Sequence, residues 1–140
     1  MSHDGTGPIE AGLTAETAFT VSEADTAAAA GSGLVAGLAT PTLLAWMEQV
    51  AFEVTRPHLP RGHTTVGTRV NLEHLAGTPT GMRVRVRAEL VAVDGRRLRF
   101  RAEAWDEVEL VGRAEHERFI VDEERFARGL ERKRAATTTS

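Results

Sequence analysis

The apolar residues of this chain change period once, and that change constrains the fold more than any other feature. From Thr40 to about Arg56, the residues Leu43, Leu44, Met47, Val50, Ala51 and Val54 recur at helical spacing. They fill an arc of about 120° on a helical wheel. From residue 64 the period becomes two. Val66, Thr68, Val70, Leu72 and His74 are predicted to share one face of a strand, with Gly67, Arg69, Asn71 and Glu73 on the other. MRVRVRAELVAV places Val84, Val86, Ala88 and Leu90 inward against Arg83, Arg85, Arg87 and Glu89 outward. RRLRFRAEAWD repeats the pattern with Leu98, Phe100, Ala102 and Ala104 inward. AGTPTG and DEVE read as turns, and Asp94-Gly95 as a two-residue hairpin. A long strand from about Leu110 to Val121 follows, and Asp122 then caps an amphipathic helix carrying Phe126 and Leu130. Strands joined by hairpins form an antiparallel sheet. Such a sheet must cover its apolar face, and only one long amphipathic helix is present to do so. The expected class is α+β, an antiparallel sheet curled around one central helix. Its open edges would be closed by pairing in a dimer.

The chain has 140 residues, the size of one domain. Residues 1–12 read as a loose arm, 13–130 as the domain and 131–140 as a disordered tail. Glu16–Val21 is a short strand candidate. The Ala- and Gly-rich segment after it suggests a short helix over Ala24–Ala30 and then a mobile glycine stretch, either a movable cover or a plain connector. Thr40 suits a helix N-cap and Pro41 the first helical position, while RPHLPRG ends the helix.

Composition excludes several kinds of chemistry. The chain contains no cysteine, so it has neither a thiol nucleophile nor a cysteine-rich zinc site. His58 and His63 lack flanking acids at ligand spacing, so no metal site is expected. The glycine-rich runs lack the context of a phosphate loop, and no serine sits in a nucleophile elbow. No apolar run is long enough to span a membrane and the N-terminus has no signal pattern, so a cytoplasmic address without membrane association is expected. A net charge of −3 gives no argument for nucleic acid. The charge is unevenly spread, however. Residues 1–55 carry seven acids and no Lys or Arg, whereas residues 56–140 carry 13 acids and 17 bases, 16 of them Arg. Arginine forks grip phosphates and carboxylates, so the second half could hold an anionic ligand; alternatively these arginines sit among glutamates on a solvated sheet face.

Three residues carry candidate chemistry. Glu48 lies about 100° from the centre of the apolar stripe, at the rim of the buried face. His74 ends the inward face of its strand, and Thr40 stands at the helix start. Each has an ordinary structural explanation: a half-exposed charge, a hydrogen-bonded histidine, a cap. Packing the helix into the sheet would bring Glu48 and His74 together at an apolar cavity, where a carboxylate–imidazole pair activates water or moves a proton near neutral pH. Thr40 would add a hydroxyl beside the backbone N–H groups of the helix N-terminus, which favour anions. Base, hydroxyl and oxyanion donors together suit acyl transfer.

The ordered run LATPTLLAWMEQVAFEVTRPHLPRGH, VGTRVNLEHLAGTPTGM, VDGRRL and HERFIV, covering about residues 34–128, resembles the hotdog-fold thioesterases of the fluoroacetyl-CoA thioesterase type. The resemblance implies a hotdog fold and cleavage of an acyl-CoA thioester to free acid and coenzyme A, with no cofactor beyond the coenzyme A of the substrate. It implies a catalytic set of Thr40, Glu48 and His74, and a backbone contribution from Gly67 to the site. It also implies a homodimer with sites at the subunit interface and coenzyme A lying partly across the partner. Where the fluoroacetyl-specific enzyme carries lid phenylalanines, this chain has GSGLVAG, with Leu34 and Val35 its sizeable residues, which implies a different small or medium acyl group. Arg118, in the HER segment, would contact coenzyme A phosphates, brace the interface or pair with a strand glutamate. The alternatives are a hotdog hydratase or dehydratase acting on acyl thioesters, and a non-catalytic acyl-CoA-binding module.

Overall fold

The computed structural model describes residues 7–137. Strand β1 (Thr14–Thr20) is followed by a 3-10 turn (Glu23–Asp25), the short helix α1 (Ala27–Ala30) and the long helix α2 (Thr40–Thr55). Strands β2 (His63–His74), β3 (Arg83–Asp94), β4 (Arg97–Trp105) and β5 (Leu110–Asp122) come next, and helix α3 (Glu123–Ala135) closes the described chain. The five strands form one antiparallel sheet in the order β1-β3-β4-β5-β2, with β1 and β2 at its edges.

The alternation on β3 and β4 holds residue by residue. Val84, Val86, Ala88, Leu90, Leu98, Phe100, Ala102 and Ala104 are all buried, and they meet Leu43, Met47, Val50, Ala51 and Val54 of α2 in one core. Every strand touches α2. The sheet makes room for the helix with small side chains. Ala88, Ala102, Ala104 and Ala114 face it, and a Cβ on Gly112 would stand 2.8 Å from Leu43 Cδ2. Phe19 of β1 stacks on Trp46 of α2, with ring centroids 4.6 Å apart. Gly95, at a φ of 61°, forms the β3–β4 turn with Arg96, one residue later than the Asp94-Gly95 signal suggests.

The structure corrects the face assignment of β2. A bulge between Gly67 and Arg69 leaves Thr68 without a register partner on β5. The extra residue shifts the alternation by one on its N-terminal side. Val70, Leu72 and His74 lie inward as expected, but before the bulge it is Thr65 that is buried and Gly67 that faces α2, while Thr68 is exposed. The cap of α2 is also corrected: Ala39 occupies the N-cap, Thr40 is the first helical residue and Pro41 the second. At the chain ends, residues 7–12 are tied down, with Gly12 N–H donating to the Leu90 carbonyl at 2.8 Å and Gly7 O accepting from His58 Nδ1 at 3.1 Å. Asp122 caps α3 by accepting from the Arg125 N–H, and the helix continues to Ala135, past the boundary drawn at residue 130. Residues 1–6 of the expected arm and 138–140 of the expected tail lie outside the described residues.

The core rests on a single layer of contact, so its largest buried side chain is its most sensitive point. Phe100 is 1% exposed. Phe100→Ala is expected to cost about 3–5 kcal/mol of unfolding free energy, read as a lower urea midpoint at unchanged slope.

Candidate functional site

Helix α2 lies against β2 with opposite polarity, and the candidate residues fall into two groups along this contact. At the start of the helix, Thr40 Oγ1 lies 2.7 Å from His74 Nδ1. Thr40 is free to make this bond because Ala39, not Thr40, is the cap. Ala39 has no side chain to cap α2, Pro41 has no N–H, and the Leu43 N–H donates to the Ala39 carbonyl at 3.0 Å, which leaves the Thr40 and Thr42 N–H groups at the helix start without a side-chain cap. The other nitrogen of His74, Nε2, is buried without a hydrogen-bond partner among the described residues. Burial pushes the His74 pKa below the ordinary histidine value, with the Ala76 backbone acting in the opposite direction. A neutral imidazole that can accept the proton of a neighbouring hydroxyl is the form a general base requires.

Glu48 stands eight residues further along α2, about 12 Å by helical rise. It does not join Thr40 and His74, because its carboxylate faces other partners. Its Oε2 lies 3.6 Å from Arg118 Nη1 and 4.0 Å from His116 Nε2. Gly67 faces the same carboxylate, and a Cβ at that position would stand 2.5 Å from Glu48 Oε2, so a side chain there would displace it. Gly67 and Glu48 therefore stand directly against each other. The bulge makes this possible by turning Gly67 inward.

Arg118 is 6% exposed, and its guanidinium is committed to inner partners. Nε donates to Thr65 Oγ1 at 2.8 Å, Nη2 to the Thr65 carbonyl at 3.0 Å, and Nη1 to His116 Nε2 at 3.0 Å. Phe52 of α2 covers it, 5.7 Å from ring centroid to guanidinium carbon. Burial lowers the Arg118 pKa from its ordinary value, opposed by the charge of Glu48. The acid that Arg118 faces is thus on the helix rather than on a strand. Thr65 and His116 were not singled out from the sequence. The available signal was the two-residue spacing of His116 and Arg118, which puts both on the inward face of β5.

Leu34 is 98% exposed, and Val35 is also exposed. The glycine stretch that carries them is nevertheless anchored on both sides. Ala28 N–H donates to Val35 O at 3.0 Å, Ala27 N–H to Gly37 O at 2.8 Å, and Leu38 N–H to Thr78 O at 2.8 Å. Among the described residues, no group of three His, Cys, Asp or Glu side chains is placed to hold a metal ion, and no helix is long and apolar enough to cross a membrane.

A sheet wrapped around one long helix, with a five-stranded antiparallel order, is the arrangement of a hotdog fold. The resemblance to solved structures agrees. A fluoroacetyl-CoA thioesterase superposes with a TM-score of 0.86 at 29% identity, covering 91% of this chain and 98% of that one. A Thermus thermophilus thioesterase superfamily member superposes at 0.89 with 28% identity, covering 95% and 98%. A hot-dog-like protein from Thermanaerovibrio acidaminovorans superposes at 0.83 with 25% identity, covering 89% and 93%. The family model of the fluoroacetyl-CoA-specific thioesterases matches residues 21–124, and the chain belongs to that family. A fluoroacetyl-CoA thioesterase of Streptantibioticus cattleyicolor is 39% identical over 88 residues, and the match spans 63% of each protein's length.

Two histidines, His116 buried and His74 half-buried, make the stability of this fold sensitive to acid. His74 is lowered by burial, with the Ala76 backbone opposing. His116 is lowered by burial and by Arg118, with the Arg69 carbonyl and Glu48 opposing. For both groups the unfolded chain binds the proton more readily, so stability is full above the ordinary histidine value of 6.5 and falls as the pH drops below it. The urea midpoint is expected to be lower at about pH 5 than at about pH 7.5. Replacing both histidines with glutamine should flatten that slope.

Proposed function

We propose that the protein is an acyl-CoA thioesterase that hydrolyses a small or medium acyl thioester to free acid and coenzyme A. The observation that carries this reading is the 2.7 Å contact between the Thr40 hydroxyl and His74, at an α2 N-terminus whose first N–H groups no side chain caps. His74, neutral, takes the proton of Thr40 or of a water held beside it. The oxygen so activated attacks the thioester carbonyl, and charge develops on the carbonyl oxygen, where the α2 N–H groups stabilise it. Collapse expels the coenzyme A thiolate, which is protonated as it leaves. If Thr40 attacks, water then hydrolyses the acyl ester in a second round.

Glu48 enters this reading through a second copy of the chain. In one protomer it faces Gly67 and Arg118, about 12 Å along the helix from Thr40. A two-fold dimer that pairs the open β2 edges would set the Glu48–Gly67 group of each subunit opposite the Thr40–His74 pair of its partner. Leu34 and Val35, exposed in the single chain, would border the acyl end of such a cleft. The reading requires no metal or organic cofactor.

Thiol release from a panel of acyl-CoAs tests the activity. His74→Ala is expected to lower kcat at least about 100-fold. Unchanged thiol release in that variant would remove His74 from the mechanism, and absorbance change on enoyl-CoA without thiol release would replace hydrolysis with hydration. The shared site has its own test. Glu48→Gln and His74→Ala chains, each inactive alone, are mixed and allowed to exchange subunits. About one quarter of wild-type activity should return, because half of the dimers then carry one intact site. No recovery despite demonstrated exchange would place the whole site within one subunit.

A further inference from the structure

His116 has no part in the chemistry above, yet its two hydrogen bonds leave it a single state. Nδ1 lies 2.8 Å from the Arg69 carbonyl of β2, and Nε2 lies 3.0 Å from Arg118 Nη1. A carbonyl only accepts, so Nδ1 carries the proton; a guanidinium only donates, so Nε2 is the acceptor. The ring is therefore neutral and in the Nδ1–H form. The charged groups facing it are Arg118 on its own strand and Glu48 from α2. β2 presents the Arg69 carbonyl, and β4 the ring of Phe100, with centroids 6.1 Å apart.

The position of Arg118 depends on this acceptor. Thr65 fixes the Nε and Nη2 edges, and His116 fixes Nη1, the nitrogen 3.6 Å from Glu48 Oε2. Without an acceptor at His116 Nε2, Nη1 would be held on one side only. With a protonated ring, two cations would face each other across 3.0 Å and Arg118 would be driven out of line.

We propose that His116 is a positioning residue, a permanently neutral hydrogen-bond acceptor that aims Arg118 at Glu48 and so sets the Glu48 carboxylate for hydrolysis. The proposal rests on the thioesterase reading of Glu48. Its test compares His116→Leu, which has the bulk but no acceptor, with His116→Gln, which has an acceptor and does not titrate, after melting curves show both folded. His116→Leu is expected to lose about 10–100-fold in kcat with KM changed less than about threefold, and His116→Gln to recover to within about threefold of wild type. His116→Leu as active as wild type, or His116→Gln as impaired as His116→Leu, would overturn the proposal. Nitrogen-15 NMR of histidine-labelled wild-type protein is the second readout and needs neither variant to fold. The His116 signals should report a protonated Nδ1 and bare Nε2 at neutral pH and still at the ordinary histidine value of 6.5. A charged ring or the opposite tautomer at neutral pH would also overturn it. Absence of acyl-CoA hydrolysis by wild type would defeat the thioesterase reading instead, whichever tautomer the NMR shows.

Discussion

A single long helix supplies most of the apolar cover for five strands, with Val21 and Leu38 of the connecting segments adding to it, and the rest of the structure follows from that shortage. With α3 burying no residue in the core, α2 must touch every strand, and the sheet must curl to reach it. Close approach requires small side chains on the central strands, which is why alanines and Gly112 recur on the inward face. The helix is then held at one depth and one direction. That fixes which of its residues meet β2, and where.

The consequence is a division of the functional groups. Because α2 and β2 run in opposite directions, the start of the helix meets the end of the strand, and the middle of the helix meets its bulge. Thr40 and His74 share the first meeting point; Glu48, Gly67 and Arg118 share the second. The two histidines differ in what their surroundings ask of them. His74 keeps one nitrogen on a hydroxyl and the other unpartnered, an arrangement suited to moving a proton. His116 has both nitrogens committed to partners that cannot exchange roles, an arrangement suited to holding a neighbour still.

Much of this was legible in the chain. The α2 stripe, the β3 and β4 faces and the Asp122 cap are set by neighbours two to four residues apart, and they stand where the spacing puts them, except that Leu44 is only half-buried and Trp46 joins the core in its place. The errors share one cause. The bulge at Thr68 adds a residue with no compositional mark, so strict alternation put Gly67 on the wrong face. Thr40 looks like a cap because threonine is a good one, but its hydroxyl found a histidine 34 residues away instead. Arg118 could have paired with any of many glutamates, and its burial beside α2 selected Glu48.

By itself, the amino-acid sequence determined the architecture: one long core helix, an antiparallel sheet, and the residue types of the candidate site. Periodicity and turn chemistry act over a few residues, so they can be read along the chain. Tertiary structure alone decided the partnerships: Thr40 with His74, Glu48 with Gly67 and Arg118, and His116 as the acceptor behind them. Those contacts join residues on separate elements, and a shift of one residue in a strand or a few ångströms in the helix would exchange them.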